Sequence, residues 1–405
     1  MKILCADALP EELFGSLRAA GHDVSIEPDL TADDLPDRLA ASKPDVLVVR
    51  STTVSEAAIN ATPLLGLIVR AGAGTDNVDK DAASARGIYV ANVPGKNAIA
   101  VAELAMGLLL AIDRHIAVGN ADLKSGVWNK LEYSKADGIL GKTLAIVGLG
   151  EVGFALAERA SAFGMSVTAL RKPERSAASL GRIRSAGVTL VDSLEELLGQ
   201  ADVVSLHVPK SPETVGMVDE KFFDMMKEGA ILLNTSRGEV VDGDALLAAL
   251  DSKNIRAGLD VWPDEPSQKS VDWASPLSTH RNVVGSHHIG ASTTQAQDAV
   301  AAGTVATIEA YTQGRVTNAV NLIGDSTGAV VLTVRHYDRV GVLAKVFETL
   351  RASGVNVQQM ENQLFTGSVA AVASINLEEA PSAVALDEIA NDEDVLSVSV
   401  SGKRS

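Results

Sequence analysis

Residues 142–171, KTLAIVGLGEVGFALAERASAFGMSVTALR, constrain this chain more than any other stretch. The apolar run 144–147 has strand length, and Gly148, Gly150 and Gly153 follow it at the spacing G-x-G-x-x-G. An amphipathic helix with Phe154, Leu156, Ala157, Ala160 and Phe163 comes next, and then a second strand over 166–170. The three glycines have separate tasks. Gly148 permits a tight turn, Gly150 lets the backbone approach a pyrophosphate, and Gly153 allows close packing of helix on strand, while the free N–H groups of the helix start attract an anion. A dinucleotide is therefore expected here. An NAD site usually carries a carboxylate at the end of the second strand to hold the ribose 2′-hydroxyl. This chain has Arg171 there, followed by Lys172. A guanidinium suits a 2′-phosphate, so either NAD or NADP is expected as cofactor, with Arg171 leaning to NADP.

A chain of 405 residues has room for two or three domains. Hydrophobic content of 46% with 21% charged residues describes a globular protein, and only 3% aromatics implies cores of Ala, Val, Leu and Ile, which suit parallel sheets covered by helices. The net charge of -17, from 35 basic and 52 acidic residues, opposes binding to nucleic acid or anionic membranes. An anionic substrate then needs locally clustered cations. The single cysteine, Cys5, lies in an apolar strand pattern and excludes an intramolecular disulfide. The chain opens on MKILCA without a leader pattern, and no apolar run reaches membrane-spanning length, so a cytoplasmic enzyme is expected. No metal site is expected.

Over residues 1–92, short strands at 3–6, 24–26, 46–49, 67–70 and 89–91 alternate with helical segments, which predicts a parallel sheet with helices on both faces. Ligands gather at the carboxyl ends of such strands. Arg50 closes VLVVRS, and Arg70 opens RAGAGTDNVD, whose Gly72 and Gly74 leave room to present N–H groups to an anion. Residues 92–122 open on a proline and glycine break and then predict a long helix, apolar around most of its girth and buried on nearly all sides, which either crosses between domains and packs in a subunit interface or is buried wholly within one domain. Later strands end at Arg237, at Asp260 with Glu265, and at His287 with His288, and their convergence on one crevice predicts a catalytic site. The segment NAVNLIGDSTG reads as a linker. Beyond it, the order strand 330–335, helix 342–353, strand 356–363, strand 369–376, helix 382–390 and strand 395–399 is β-α-β-β-α-β, a ferredoxin-like unit.

The motifs GLGEVG, NTSRGEVVD, LDVWPDEP and HHIGAS, with RSTT and RAGAGTDNVD before them, resemble the D-isomer-specific 2-hydroxyacid dehydrogenases. The ferredoxin-like tail makes the likeness greatest to the phosphoglycerate dehydrogenases with an ACT regulatory domain, and it covers essentially the whole chain. The implied fold is α/β, two Rossmann-like doubly wound parallel-sheet domains plus a C-terminal ferredoxin-like (ACT) α+β domain. The implied boundaries are a discontinuous, flavodoxin-like substrate-binding domain at 1–95 and 285–320, a nucleotide-binding Rossmann domain at 96–284, a linker at 321–327 and the ACT domain at 328–405.

The resemblance also implies roles. His288 is the general base, Glu265 fixes its tautomer and raises its pKa, and Arg237 grips the substrate carboxylate. His287 stands where the family usually has proline, which leaves open which histidine is the base. The cofactor residues are Gly148, Gly150, Glu151, Val152, Gly153, Arg171, His207, Pro209, Thr235 and Asp260, the last on the nicotinamide carboxamide. The substrate residues are Arg50, Ser51, Arg70, Gly72, Asn97 and Lys130, with Lys130 reaching a neighbouring subunit and Lys96 a further anion contact. The implied substrate is 3-phosphoglycerate, oxidised in the first step of L-serine synthesis, in a homodimer or homotetramer. HYDRVGVL and NVQQ resemble an effector motif, with His336, Asp338 and Asn356 at positions that bind L-serine in some relatives. Two alternatives remain: an NADPH-dependent hydroxypyruvate or glyoxylate reductase, and a dinucleotide-sensing regulatory protein.

Overall fold

The computed structural model describes residues 1–173, 175–266, 270–323 and 329–402. The chain forms two units, Met1–Asn321 and Leu322–Ser405. Most of the expected linker lies outside the described residues.

The first unit holds two parallel sheets. One contains β1 (Lys2–Cys5), β2 (Asp23–Ile26), β3 (Val46–Val49), β4 (Leu67–Arg70) and β5 (Tyr89–Asn92), in the order β2-β1-β3-β4-β5. The run Val46–Val49 is buried at every position, as expected of a parallel strand covered on both faces. Part of that cover comes from far along the chain. The helix Thr294–Thr312 sets Val300, Ala301, Val305 and Ile308 against Ile3, Val46 and Val69.

The second sheet contains β6 (Thr143–Val147), β7 (Ser166–Leu170), β8 (Val188–Val191), β9 (Val203–Leu206), β10 (Ile231–Asn234), β11 (Arg256–Leu259) and β12 (Val283–Gly285). Its order is β12-β11-β10-β9-β6-β7-β8, so the chain reverses direction between β6 and β9, the crevice where ligands of such sheets lie. The helix Glu151–Ala162 starts at Gly150 and packs Phe154, Leu156 and Ala157 with Leu144, Ile146 and Leu109. Burying one such side chain contributes about 1.5–3 kcal/mol.

The long helix expected over 92–122 is two helices. Ala98–Asp113 is buried along ten of its positions, but His115 adopts φ 54°, a left-handed conformation that ends the regular hydrogen-bond ladder. The second helix, Ile116–Lys124, buries none of its residues and begins an exposed arm.

The second unit is one antiparallel sheet of β13 (Val330–Tyr337), β14 (Val357–Leu364), β15 (Ala370–Leu377) and β16 (Val395–Gly402), ordered β14-β15-β13-β16. Helices Val342–Ala352 and Ala383–Ala390 add Val346, Leu350 and Ile389 to a core with Leu332, Val334 and Ile375. Strands and helices alternate as the ferredoxin-like pattern requires.

Two glycines of the β6 turn separate packing from open space. A Cβ on Gly153 would stand 2.6 Å from the Gly148 carbonyl oxygen and 3.1 Å from Ile146 Cγ2, whereas one on Gly150 would meet nothing within 4 Å. Gly153→Ala is expected to cost about 1–3 kcal/mol through overpacking, and Gly150→Ala less than ~0.5 kcal/mol as an open surface change. Urea unfolding midpoints of the two variants check this, and equal losses would contradict the packing argument.

Candidate functional site

Asp7 organises the first set of cations. It is 4% exposed, accepts backbone N–H bonds from Arg50 (2.7 Å), Ser51 (3.1 Å) and Thr52 (3.1 Å), and accepts the Ser51 hydroxyl at 2.6 Å. Burial pushes the Asp7 carboxyl up, but the bonds from Ser51, Arg50 and Thr52 outweigh it and hold the pKa below its ordinary value. The Ser51 hydroxyl is thereby committed to the turn. Arg70, at the end of β4, lies over Gly72, whose missing Cβ would sit 1.8 Å from Nη1. Its Nε is buried without a hydrogen-bond partner. Burial, then the positive charges of Arg237 and Arg50, push Arg70 down to about 10 against the pull of Asp76 and Asp7. Arg70 remains a cation at neutral pH and has no ion-pair partner among the described residues.

Asn234, the last residue of β10, shapes the turn that carries Arg237. It is 1% exposed, its Oδ1 accepts from Ser236 N (3.0 Å) and Ser236 Oγ (2.8 Å), and its Nδ2 donates to the Arg237 carbonyl at 2.9 Å. The Arg237 guanidinium then crosses to the other sheet's loop. Its Nε donates to Asp76 Oδ2 at 2.8 Å, and a Cβ on Gly74 would stand 1.9 Å from its Nη2. Gly74, Asp76, Lys80, Pro209, Lys210 and Arg237 line a cleft of about 260 Å³.

Asp260 ties the last loop together. Only 1% exposed, it accepts from Ser286 Oγ (2.6 Å), Ile289 N (2.9 Å) and Gly290 N (2.8 Å), while its carbonyl takes the His288 N–H at 2.7 Å. A carboxylate with three donors on its two oxygens fixes the segment 286–290 as one piece. His288 sits there at φ 54°, a conformation non-glycine residues seldom adopt, so the loop bonds hold it against strain. Its Nδ1 shares a proton with Glu265 Oε1 at 2.6 Å. That bond raises the His288 pKa, burial opposes it, and the charges of Glu265 and Asp260 raise it further. Nε2 is left for a ligand. His287 is exposed and makes no hydrogen bond among the described residues.

On the dinucleotide side, a Cβ on Gly148, at φ 100°, would stand 2.4 Å from the His207 carbonyl oxygen. Gly150, in contrast, borders open space beside the helix start. The Thr235 Oγ1 is buried without a partner, an unsatisfied group of the kind a bound ligand satisfies. His207 Nε2 lies 2.9 Å from Ser205 Oγ, and burial pushes its pKa down to about 4, so it is neutral. These residues fit a nicotinamide dinucleotide. Arg171 is less free than its sequence suggests, because its Nε donates to Asp192 Oδ1 at 2.6 Å, from the residue after β8.

Lys130 is on the exposed arm, Lys96 is exposed, and Asn97 precedes the helix Ala98–Asp113 without capping it through its side chain. In the second unit, His336 is 2% exposed, with Nδ1 2.7 Å from the Tyr337 carbonyl oxygen and Nε2 3.2 Å from Asn362 Oδ1. Asn356 donates to Glu378 Oε1 at 2.9 Å, beside the Val357 and Leu377 pair, whereas His336 pairs with Ala371 at the opposite end of the sheet. At ~3.4 Å per residue that is ~20 Å. One copy does not bring the three effector residues together. Sequence reasoning missed Asp7, Asp76 and Asn234; the only signal for them was their place beside strand ends already singled out. Among the described residues, no group of three His, Cys, Asp or Glu could hold a metal ion, and no helix is long and apolar enough to cross a membrane.

Residues 106–290 match the family model described as D-isomer specific 2-hydroxyacid dehydrogenase, NAD binding domain. A D-3-phosphoglycerate dehydrogenase of Methanocaldococcus jannaschii is 40% identical over 309 residues, which cover 75% of this chain and 56% of that protein. The chain thus spans little more than half of that curated relative. The D-3-phosphoglycerate dehydrogenase of Escherichia coli is 37% identical over 365 residues, covering 88% of this chain and 87% of the relative. A solved structure from Thermus thermophilus aligns with TM-score 0.69 at 34% identity, over 79% of this chain and all (100%) of that one. Agreement of sequence over nearly the full length of one relative with agreement of fold over the whole of another places this chain in the D-isomer-specific 2-hydroxyacid dehydrogenase family, with the nicotinamide dinucleotide cofactor that its matched domain binds.

Proposed function

We propose that the chain is a D-3-phosphoglycerate dehydrogenase, oxidising 3-phosphoglycerate to 3-phosphohydroxypyruvate as the first step of L-serine synthesis. One observation carries the reading: half-buried Arg70, whose buried Nε has no partner, lies near Arg237, and Arg237 in turn lies near enough to the His288 and Glu265 pair to act on His288. A molecule with an anion at each end and a hydroxyl-bearing carbon between them matches that arrangement. Arg70 and Arg50 take the phosphate. Arg237 takes the carboxylate through its free N–H groups. A bound dinucleotide would supply the hydride acceptor through its nicotinamide ring, with its diphosphate at the turn of Gly148 and Gly150 and the unpartnered Thr235 hydroxyl available to it. His288 Nε2 removes the hydroxyl proton, and Glu265 stabilises the imidazolium that results. The three bonds that Asp260 makes assign it to holding this loop, alongside any contact to the carboxamide.

The domain division into 1–95 with 285–320, 96–284 and 328–405 belongs to the same proposal. So does oligomerisation: the arm exposes Ile116, Leu123, Trp128 and Leu131, the last two at 78% and 80%, and a second copy covering it would bring Lys130 to a neighbour's cleft. An L-serine site would require two copies of the second unit, one giving His336 and Asp338 and the other Asn356. The cations Arg171 and Lys172 at the end of β7 favour a second reading, an NADPH-dependent hydroxypyruvate or glyoxylate reductase. A cytoplasmic location accords with a biosynthetic role.

Rates with 3-phosphoglycerate, phosphohydroxypyruvate, hydroxypyruvate and glyoxylate, each with both nicotinamide cofactors, separate the readings. The phosphorylated pair should have the highest kcat/KM; a lead by unphosphorylated acids with NADPH would favour the reductase, and no turnover of any would leave the regulator. The base makes a separate prediction. His288→Asn should lower kcat about 10²–10⁴-fold, while His287→Asn should not. Because the Glu265 bond raises the His288 pKa, Glu265→Gln should move the acid limb of the oxidation profile to lower pH, along with a lower plateau. An unmoved limb in the kcat/KM profile would contradict the pairing.

A further inference from the structure

Glu151, expected among the cofactor residues, can serve the ligand through its backbone N–H at the helix start, but its side chain carries a charge that works against that ligand. Glu151 is the first residue of the helix Glu151–Ala162, directly after Gly150, where the backbone borders open space. Neighbouring Cα atoms are ~3.8 Å apart, so a free Glu151 carboxylate reaches the same region as the helix-start N–H groups. A carboxylate is stabilised at a helix N-terminus for the reason a phosphate is. Unrestrained, Glu151 would compete with a dinucleotide's diphosphate for those groups and repel it.

The structure ties that carboxylate elsewhere. Arg182, on the helix Ala177–Ser185, makes a two-pronged pair, with Nη1 2.6 Å from Oε1 and Nη2 3.1 Å from Oε2. The guanidinium also lies over the Phe154 ring, 4.3 Å from its centroid, one turn along from Glu151. On the opposite flank, a Cβ on Gly95 would stand 3.3 Å from Glu151 Cγ, so the stem of Glu151 is bounded there by the loop before the helix Ala98–Asp113. The fork of a guanidinium fixes carboxylate direction as well as charge.

We propose that Arg182 is a positioning residue for cofactor binding: it holds the Glu151 carboxylate away from the helix start and neutralises it, leaving the N–H groups to the diphosphate. This rests on the reading of the turn as the dinucleotide site. It assigns a function to a pair that would otherwise be a half-exposed ion pair of small consequence. It also predicts an asymmetry. Removing the arginine alone harms binding, and removing both charges does not.

Direct titration of NADH and NADPH into substrate-free protein tests this, with Kd read from cofactor fluorescence for the parent, Arg182→Ala, Glu151→Gln and the double variant. Thermal melting of each confirms that it is folded. Arg182→Ala should weaken both cofactors equally, by about fivefold, the effect of ~1 kcal/mol, and more at low salt than at high. Glu151→Gln should bind at least as tightly as the parent, and the double variant should return to within about twofold of it. A double variant as weak as Arg182→Ala, a Glu151→Gln as weak as Arg182→Ala, or an unchanged Arg182→Ala would each overturn the inference. Loss confined to NADPH would assign Arg182 to the 2′-phosphate instead and overturn it too. A parent protein that binds neither cofactor would overturn the dinucleotide reading itself, and the inference with it.

Discussion

Like charges facing one another in a partly buried cleft are the constraint on which this site depends. Arg70 and Arg237 feel each other strongly enough that Arg237 lowers the Arg70 pKa, second only to burial. Such an arrangement is costly unless anions offset it. Asp76 does so for Arg237 directly, and Asp7 draws the backbone of 50–52 into place near Arg70. The guanidiniums also need room, which Gly72 and Gly74 leave by having no side chain. What remains is a surplus of positive charge in a protein of net charge -17. Against that acidic background, the surplus makes this cleft a place that favours an anion.

The second dependence is on strand ends. Arg70, Arg237, Asp260 and His288 all stand at or just after the ends of parallel strands of two sheets, and a buried polar residue sets the backbone of two of them. Asn234 shapes the Arg237 turn, and Asp260 shapes the His288 loop. Buried polar groups with every bond made are rigid because breaking any one leaves an unpaired charge or dipole. The strained backbone at His288 persists on that basis. Geometry of this kind holds a proton acceptor and an anion grip at fixed separation, as the proposed chemistry requires.

Much of this was legible in the sequence because strand runs, glycine turns and terminal cations are local signals. Residues 144–153 predict their own turn, and the β-α-β-β-α-β rhythm of the tail is visible as alternating apolar periods. Three things were not legible. The break at His115 depends on one residue entering the left-handed region, which no periodicity reveals. The pairings of Arg237 with Asp76 and of Arg171 with Asp192 join residues 161 and 21 positions apart, so their strand-end cations read as free. The separation of His336 from Asn356 follows from antiparallel register, which a motif match does not contain.

The proposed activity turns on Arg70 reading a phosphate. The most direct measurement is the ratio of kcat/KM for 3-phosphoglycerate over D-glycerate, in the parent protein and in Arg70→Gln. If Arg70 grips the phosphate, the parent should favour the phosphorylated acid by at least ~100-fold, and Arg70→Gln should erase most of that preference while sparing D-glycerate, a loss of about 2–3 kcal/mol for a charge-assisted bond. A preference unchanged by Arg70→Gln, or a parent enzyme without one, would contradict it.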